Sequence, residues 1–167
     1  MENKPIIFLD IDGVMITQWS EKQPRKKYFK DFAKPFSPES VEVLNYIIET
    51  ANIEIVLSSD WRHVFNEQML EEFFNFNGIK IAPIPMPYDY VHEFRDLNKY
   101  PNRKELKRSK EISTYVKEYK LEHFVIIDDM KLECFPEHFV QTQSDVGLLL
   151  KHKEQIINIL KRKYLTV

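Results

Sequence analysis

The sequence predicts an α/β protein, a doubly wound and mostly parallel sheet of about five strands with helices on both faces. Three observations carry that prediction. Short apolar runs such as Ile6-Ile7-Phe8-Leu9 and Val125-Ile126-Ile127 read as buried strands. Segments with helical apolar spacing alternate with them. Three of the runs end in polar clusters: Asp10-Ile11-Asp12-Gly13, Ser58-Ser59-Asp60 and Asp128-Asp129. In open α/β sheets, ligands bind at the carboxyl ends of strands, near the switch in strand order.

The elements follow in order. The first strand covers about Pro5 to Asp10. Residues 15–36 are polar, basic and aromatic, with Pro24 and Pro35, and are too long for a tight turn, so a projecting flap or small cap is expected there. Ser37-Pro38-Glu39 reads as N-cap, N1 proline and acidic first turn of a helix with Val41, Leu44, Ile47 and Ile48 on one face. Ile53 to Leu57 is the second strand. A helix carrying Val64, Phe65, Met69, Leu70, Phe73 and Phe74 follows and stops before Gly78. Ile79 to Ile84 is the third strand. Residues 85–101 are irregular and rich in proline and aromatics, a second segment placed to shape an entrance. Asn102-Arg103-Lys104-Glu105 resembles a capping box opening a helix to about Lys120. Phe124 to Ile127 and Phe139 to Gln141 are the last strands, and the final helix runs from about Lys151 to Lys163.

The bulk numbers narrow the function. With 167 residues, 43% hydrophobic and 30% charged, the chain fits one globular domain, 1–167. A net charge of −2 offers no global argument for nucleic-acid binding. Only Cys134 carries a thiol, so no intrachain disulfide can form, which fits a reducing compartment. The N-terminus has no leader pattern, and no apolar run approaches the roughly 18 residues needed to span a bilayer. A soluble, cytoplasmic protein is expected. Glycine is restricted to Gly13, Gly78 and Gly147, so no glycine-rich phosphate loop is present. The five histidines show no metal-ligand spacing.

The strand-end clusters carry the chemistry. Asp10 and Asp12, two apart after a strand, place two carboxylates side by side, which suits a divalent metal and a phosphoryl group. Between the serines and the acidic pair lies a basic helix start with Arg103, Lys104, Lys107, Arg108 and Lys110. Each piece also has a plain reading. Asp before Gly favours turns, Ser58 fits an N-cap, and Asp128-Asp129 fits a solvated strand end. Trp61 reads first as a packing residue. Arg62 fits either a structural ion pair or a substrate clamp. The run Lys22 to Lys30 reads as a solvated face, or as a contact to a phosphorylated polymer or nucleotide.

Taken together, an Asp-x-Asp after strand one, a Ser after strand two, a basic residue on a later helix and an acidic pair after strand four resemble the haloacid dehalogenase-like (HAD) phosphatase superfamily. Leu57-Ser58-Ser59-Asp60-Trp61-Arg62, Arg108-Ser109-Lys110-Glu111-Ile112, Asp128-Asp129 and Gly147-Leu148 are similar to the small HAD domains of Swiss Army Knife RNA repair proteins. The resemblance implies a three-layer, Rossmann-like fold and a Mg2+-dependent phosphomonoester hydrolase. Asp10 would be the nucleophile forming an aspartyl-phosphate and Asp12 the general acid and base. Mg2+ would be held by Asp10, the Asp12 backbone carbonyl and Asp129, with Asp128 a water-mediated partner. Ser58 and Ser59 would hold phosphate oxygens. Arg108 would neutralise phosphate charge, with Lys110 and Lys104 as rivals. Trp61 and Arg62 would face the substrate, favoured as a nucleic-acid or nucleotide phosphate end, with a small sugar phosphate as runner-up. Two other classes remain: a receiver-like phosphoacceptor, opposed by the position of the acidic pair after the fourth strand, and a pseudoenzyme acting within a complex.

Overall fold

The computed structural model describes residues 4–24 and 34–164. The middle of the expected flap, with Arg25, Lys26, Lys27 and Lys30, lies outside the described residues. Its two ends are anchored, since Met15, Ile16 and Phe36 are buried in the core.

Five strands form one sheet: β1 (Ile6–Leu9), β2 (Glu54–Leu57), β3 (Ile84–Pro85), β4 (Phe124–Asp128) and β5 (Phe139–Gln141). Every pairing is parallel, and the spatial order is β3-β2-β1-β4-β5. The chain winds outward from β1 through β2 to β3, then crosses back to lay β4 against the free side of β1. The direction of winding reverses beside β1, and in such sheets a crevice opens there at the carboxyl edge.

The helices are α1 (Gln18–Glu21), α2 (Pro38–Ala51), α3 (Glu67–Phe76), α4 (Arg103–Glu118) and α5 (Lys153–Leu160). Alternate strand residues point to opposite faces, and the core divides accordingly. Ile7, Leu9, Ile55, Leu57, Val125 and Ile127 pack with side chains of α2, α3 and α5. Ile6, Phe8, Val56, Phe124 and Ile126 pack with Ile112, Tyr115 and Val116 of α4. This is the three-layer α/β arrangement that the apolar runs predict. No helix among the described residues is long and apolar enough to cross a membrane.

Several boundaries differ from the sequence reading for identifiable reasons. The third strand shrinks from 79–84 to Ile84–Pro85, because Pro83 and Pro85 have no N–H to give the ladder, and the strand sits at the sheet edge. The helix after β2 splits. Asp60–His63 form a short 3-10 turn, and α3 begins only after Asn66, whose side chain accepts the Met69 N–H at 2.9 Å. Val64, between them, is 71% exposed. Val43 rather than Val41 is fully buried on α2. Phe73 and Phe74 enter the core, whereas Phe76 is largely exposed. Asn102 starts α4 without a side-chain cap, so the expected capping box is not formed. The last helix is preceded by a 3-10 turn at Leu150–His152 and ends at Leu160.

One buried knot braces the loop after β1. The Leu148 N–H donates to the Val14 carbonyl at 2.9 Å, and the Ser40 hydroxyl lies 3.0 Å from the carbonyls of both Val14 and Leu148. Gly147 adopts φ +72 there, and a Cβ would meet the Val14 oxygen at 2.4 Å. Gly78 has a similar φ of +81 with open space around it. Gly78→Ala is therefore expected to lose about 1 kcal/mol from backbone strain alone, and Gly147→Ala at least about 2 kcal/mol, as strain and collision add. Urea denaturation of the two variants measures the difference, and equal losses would show that the close approach is unimportant.

Candidate active site

The carboxyl edge at the β1–β4 junction holds a cavity of about 250 Å³ lined by Asp10, Asp12, Ser59, Asp60, Lys104, Lys107, Arg108, Asp129 and Met130. Strand β1 ends at Leu9, so Asp10 and Asp12 are placed by the following loop and not by strand alternation. The Asp10 N–H still donates to the Ile127 carbonyl at 3.0 Å, which continues the ladder one residue further. After it the chain turns sharply, with the N–H groups of Met15 and Ile16 both reaching the Ile11 carbonyl. Gly13 has φ +77, and a Cβ on it would fall 2.3 Å from an Asp129 carboxylate oxygen. The glycine is needed because the acidic pair approaches the loop backbone this closely. Thr142 completes the contact, its hydroxyl donating to the Gly13 carbonyl at 2.8 Å and its N–H to the Asp128 carbonyl at 3.0 Å.

Asp10, Asp128 and Asp129 each bring a carboxylate oxygen within 4.8 Å of the others. Three anions this close demand a cation. Arg108 supplies one. Its guanidinium lies 2.6 Å from Asp128 and 3.1 Å from Asp10 and is almost completely buried. Burial works against its charge, but Asp10 and Asp128 outweigh burial and hold the proton more firmly than usual. The cation is still not enough. Burial, with added repulsion from Asp10, pushes Asp128 up to about 7 against the pull of Arg108. Burial and the Asp10 charge also raise Asp129. The remaining acidic surplus, hard oxygen donors on two adjacent strand ends, is what Mg2+ or a similar ion requires. Asp12 stands apart from this cluster. Partial burial raises its carboxyl, the Trp61 hydrogen bond opposes the rise, and the Asp10 charge adds to it.

The other expected site residues divide. Ser58 is completely buried, its N–H bonded to the Leu9 carbonyl, and its hydroxyl has no hydrogen-bond partner among the described residues. A buried hydroxyl without a partner is costly and is resolved by a ligand or water. Ser59 lines the cavity and caps the Asp60–His63 turn, accepting the Trp61 N–H at 3.4 Å. Trp61 stacks on Phe73 with centroids 5.2 Å apart, and its indole N–H donates to Asp12 Oδ2 at 3.0 Å. It is a packing residue that also holds the second aspartate. Arg62 is turned inward. Its side chain is 2% exposed, pairs with Glu111 at 2.8 Å, and donates to the Ser58 and Ser59 carbonyls at 2.7 and 3.1 Å. It ties the serine turn to α4 and does not line the cavity.

On α4, Arg108 meets the carboxylates and Lys104 lines the cavity, while Lys110 pairs with Glu93 at the surface, outside it. Lys107 is a cavity residue that the sequence reading left unassigned, held 3.0 Å from Asp60. Its signal was present. Positions 104, 107, 108 and 111 fall on one helical face, and 110 falls well away from it. Thr142 had no comparable signal, because its contact to Gly13 joins residues far apart in sequence.

A doubly wound sheet that gathers an early Asp-x-Asp, a serine, a helix-borne cation and a late acidic pair at its reversal point defines a haloacid dehalogenase-like domain, a class with hydrolase-type chemistry that works with a divalent metal. More narrowly, the chain belongs to the family described as HAD domain in Swiss Army Knife RNA repair proteins, whose model matches residues 6–152. No curated protein and no solved structure shows significant similarity to it.

Because the folded Asp128 carboxyl titrates near 7 rather than near its ordinary 3.8, its contribution to the metal-free protein is present at low pH and is lost as pH rises between those values. Stabilisation by Mg2+, read as the shift in melting temperature, is therefore expected to grow from pH 5 to pH 8, and a shift independent of pH would contradict a cation among these carboxylates. Arg62→Ala leaves the buried Glu111 with only the longer Lys107 contact at 3.8 Å and is expected to lose about 3 kcal/mol, whereas Arg62→Met with Glu111→Leu stays within about 1–2 kcal/mol of wild type. Denaturant titration compares the two.

Proposed function

We propose that the protein is a magnesium-dependent phosphomonoester hydrolase that works through an aspartyl-phosphate on Asp10 and acts on phosphorylated nucleic-acid ends or nucleotides. The observation that carries this reading is the setting of Asp10. One of its oxygens is pinned by the buried Arg108, and the carboxylate also belongs to the Asp128–Asp129 cluster. A nucleophilic carboxylate can approach a phosphate only where both negative charges are offset, and this position offers a fixed cation and a metal site together.

Asp10, Asp129 and the Asp12 backbone carbonyl would hold the magnesium. Bound there, the ion supplies charge neutralisation between the carboxylate and the phosphoryl group and fixes their alignment. The Asp10 carboxylate attacks phosphorus, and the bond to the ester oxygen breaks. Asp12, entering protonated, gives its proton to that leaving oxygen. Asp12 then takes a proton from water, which attacks the same phosphorus and breaks its bond to Asp10, releasing inorganic phosphate. Arg108 and Lys104 balance charge on the phosphoryl oxygens, and the free Ser58 hydroxyl donates to one of them. Trp61 keeps Asp12 aimed at the leaving group.

The membership of the family in RNA repair proteins and the cations at the mouth support a nucleic-acid end as substrate. A small sugar phosphate is the second reading, favoured by the size of the catalytic cavity taken alone. The single thiol, free in the structure, supports a cytoplasmic setting.

Phosphate release with Mg2+ from p-nitrophenyl phosphate, mononucleotides, sugar phosphates and oligonucleotides with 3′- or 5′-phosphates tests the reading. Asp10→Asn is expected to lower kcat by at least about 10³-fold on every substrate hydrolysed. Undiminished, metal-dependent release by that variant would refute the mechanism, and a stable phosphorylated Asp10 without turnover would favour a phosphoacceptor. Trp61→Phe keeps the ring stack and removes the hydrogen bond to Asp12. Its kcat/KM is expected to fall about 10- to 100-fold for alkyl esters, whose leaving oxygen needs the proton, and by less than about 3-fold for p-nitrophenyl phosphate. An equal fall for both would mean that Trp61 serves only to pack.

A further inference from the structure

A second cavity of about 230 Å³ opens beside the catalytic one, lined by Asp60, Val91, Phe94, Arg95, Arg103, Lys104 and Lys107. Asp60, Lys104 and Lys107 line both, so the two spaces share a wall. We propose that this cavity is a substrate subsite that takes the phosphodiester and base next to the reacting terminal phosphate of a polynucleotide. The proposal rests on the phosphatase reading of the Asp10 site and names what lies beyond the scissile group.

The charges on the wall are not balanced by the protein. Lys107 is matched by Asp60 at 3.0 Å. Among the described residues, no carboxylate pairs with Arg95, Arg103 or Lys104, and the neighbour of the Arg95 guanidinium is the His92 ring. Three uncompensated cations in a chain of net charge −2 therefore stand together at one edge of one crevice. Arg103 is also the first residue of α4, where the helix backbone adds positive potential. The Asp10 site already draws on Arg108 and Lys104 for its own phosphate, so Arg95 and Arg103, which line only the second cavity, are surplus to it and fit a second.

The apolar part of the wall fits the other half of a nucleotide. Val91 is 46% exposed, and Phe94 is half-buried and braced edge-on by Tyr100 at 5.2 Å between centroids. An aromatic ring held in place beside cations is the combination used to stack bases along a tracked backbone. Size agrees. The catalytic cavity alone lies below the range of roughly 300–1,000 Å³ typical of sites for drug-sized ligands, so a polynucleotide end needs adjoining space as well. Val91, Phe94 and Arg95 come from the proline- and aromatic-rich stretch 85–101, which has no part in the sheet beyond Pro85 and whose sequence already marked it as an entrance.

The test uses Arg95→Ala/Arg103→Ala, both exposed and outside the catalytic cavity. On p-nitrophenyl phosphate, which fills only that cavity, kcat/KM is expected to stay within about 2-fold of wild type. On an oligonucleotide with a terminal phosphate it is expected to fall at least about 10-fold, mostly through KM, with the slope of log affinity against log salt lowered by about 1. Equal rates of the two proteins on the oligonucleotide would overturn the subsite, and so would a sugar bisphosphate hydrolysed as well as the oligonucleotide by wild type and as sensitive to the two substitutions. Fluorescence anisotropy with a labelled, terminally phosphorylated oligonucleotide separates this outcome from failure of the phosphatase reading. In the Asp10→Asn background, tighter binding by the protein with both arginines supports the subsite even if no substrate is turned over. Identical dissociation constants with and without them refute it even if Asp10 proves catalytic.

Discussion

The structure turns on the Arg108 guanidinium, held between Asp10 and Asp128 at the carboxyl edge of two neighbouring strands. Parallel pairing of β1 with β4 brings these carboxylates together, and the backbone offsets the repulsion only in part, through the Met130 N–H donated to Asp128 at 2.9 Å. A buried cation from the opposite layer makes the arrangement tolerable. It does so incompletely, since Asp128 and Asp129 remain hard to ionise. The residual imbalance suits the cluster to a divalent ion, which the family typically uses. A site fully neutralised by its own side chains would have little affinity for either metal or phosphate.

Other features hold this cluster in register. Gly13 lets the Asp129 carboxylate approach the loop, and Thr142 joins the loop to the strand that follows. Arg62 spans from the carbonyls of Ser58 and Ser59 to the buried Glu111, so the serine turn and the helix that carries Arg108 are one mechanical unit. Trp61 leans on Phe73 of α3 and reaches Asp12. Each side chain of the candidate site is thus held by residues distant in sequence, which fixes its position without reorganisation.

Much of the fold was legible because burial on both faces writes itself as continuous apolar runs. Ile6–Leu9, Glu54–Leu57 and Phe124–Asp128 lie within a residue or so of their predicted strands, and Phe139–Gln141 coincides with it. The third strand differs because Ile79 and Ile81 pack against the core without joining the ladder, which forms only at Ile84–Pro85. The start of α3 was misplaced because an asparagine cap outweighed the apolar period upstream. Within the site, residue types after strands were readable, but direction was not. Arg62 and Arg108 look equivalent as letters, and only packing shows that the first faces a buried glutamate and the second the carboxylate cluster.

The sequence by itself determined the layer architecture, the strand ends that carry chemistry and the family to which the chain belongs, because these depend on local periodicity and on residues adjacent along the chain. The tertiary structure decided which cation meets Asp10, that Lys110 is spent on Glu93 at the surface, that Trp61 holds Asp12, and that the stretch 85–101 closes a second cavity against the start of α4. Those outcomes depend on contacts between residues tens of positions apart. They are settled by which face of a helix turns toward which strand end, and no short window of sequence contains that information.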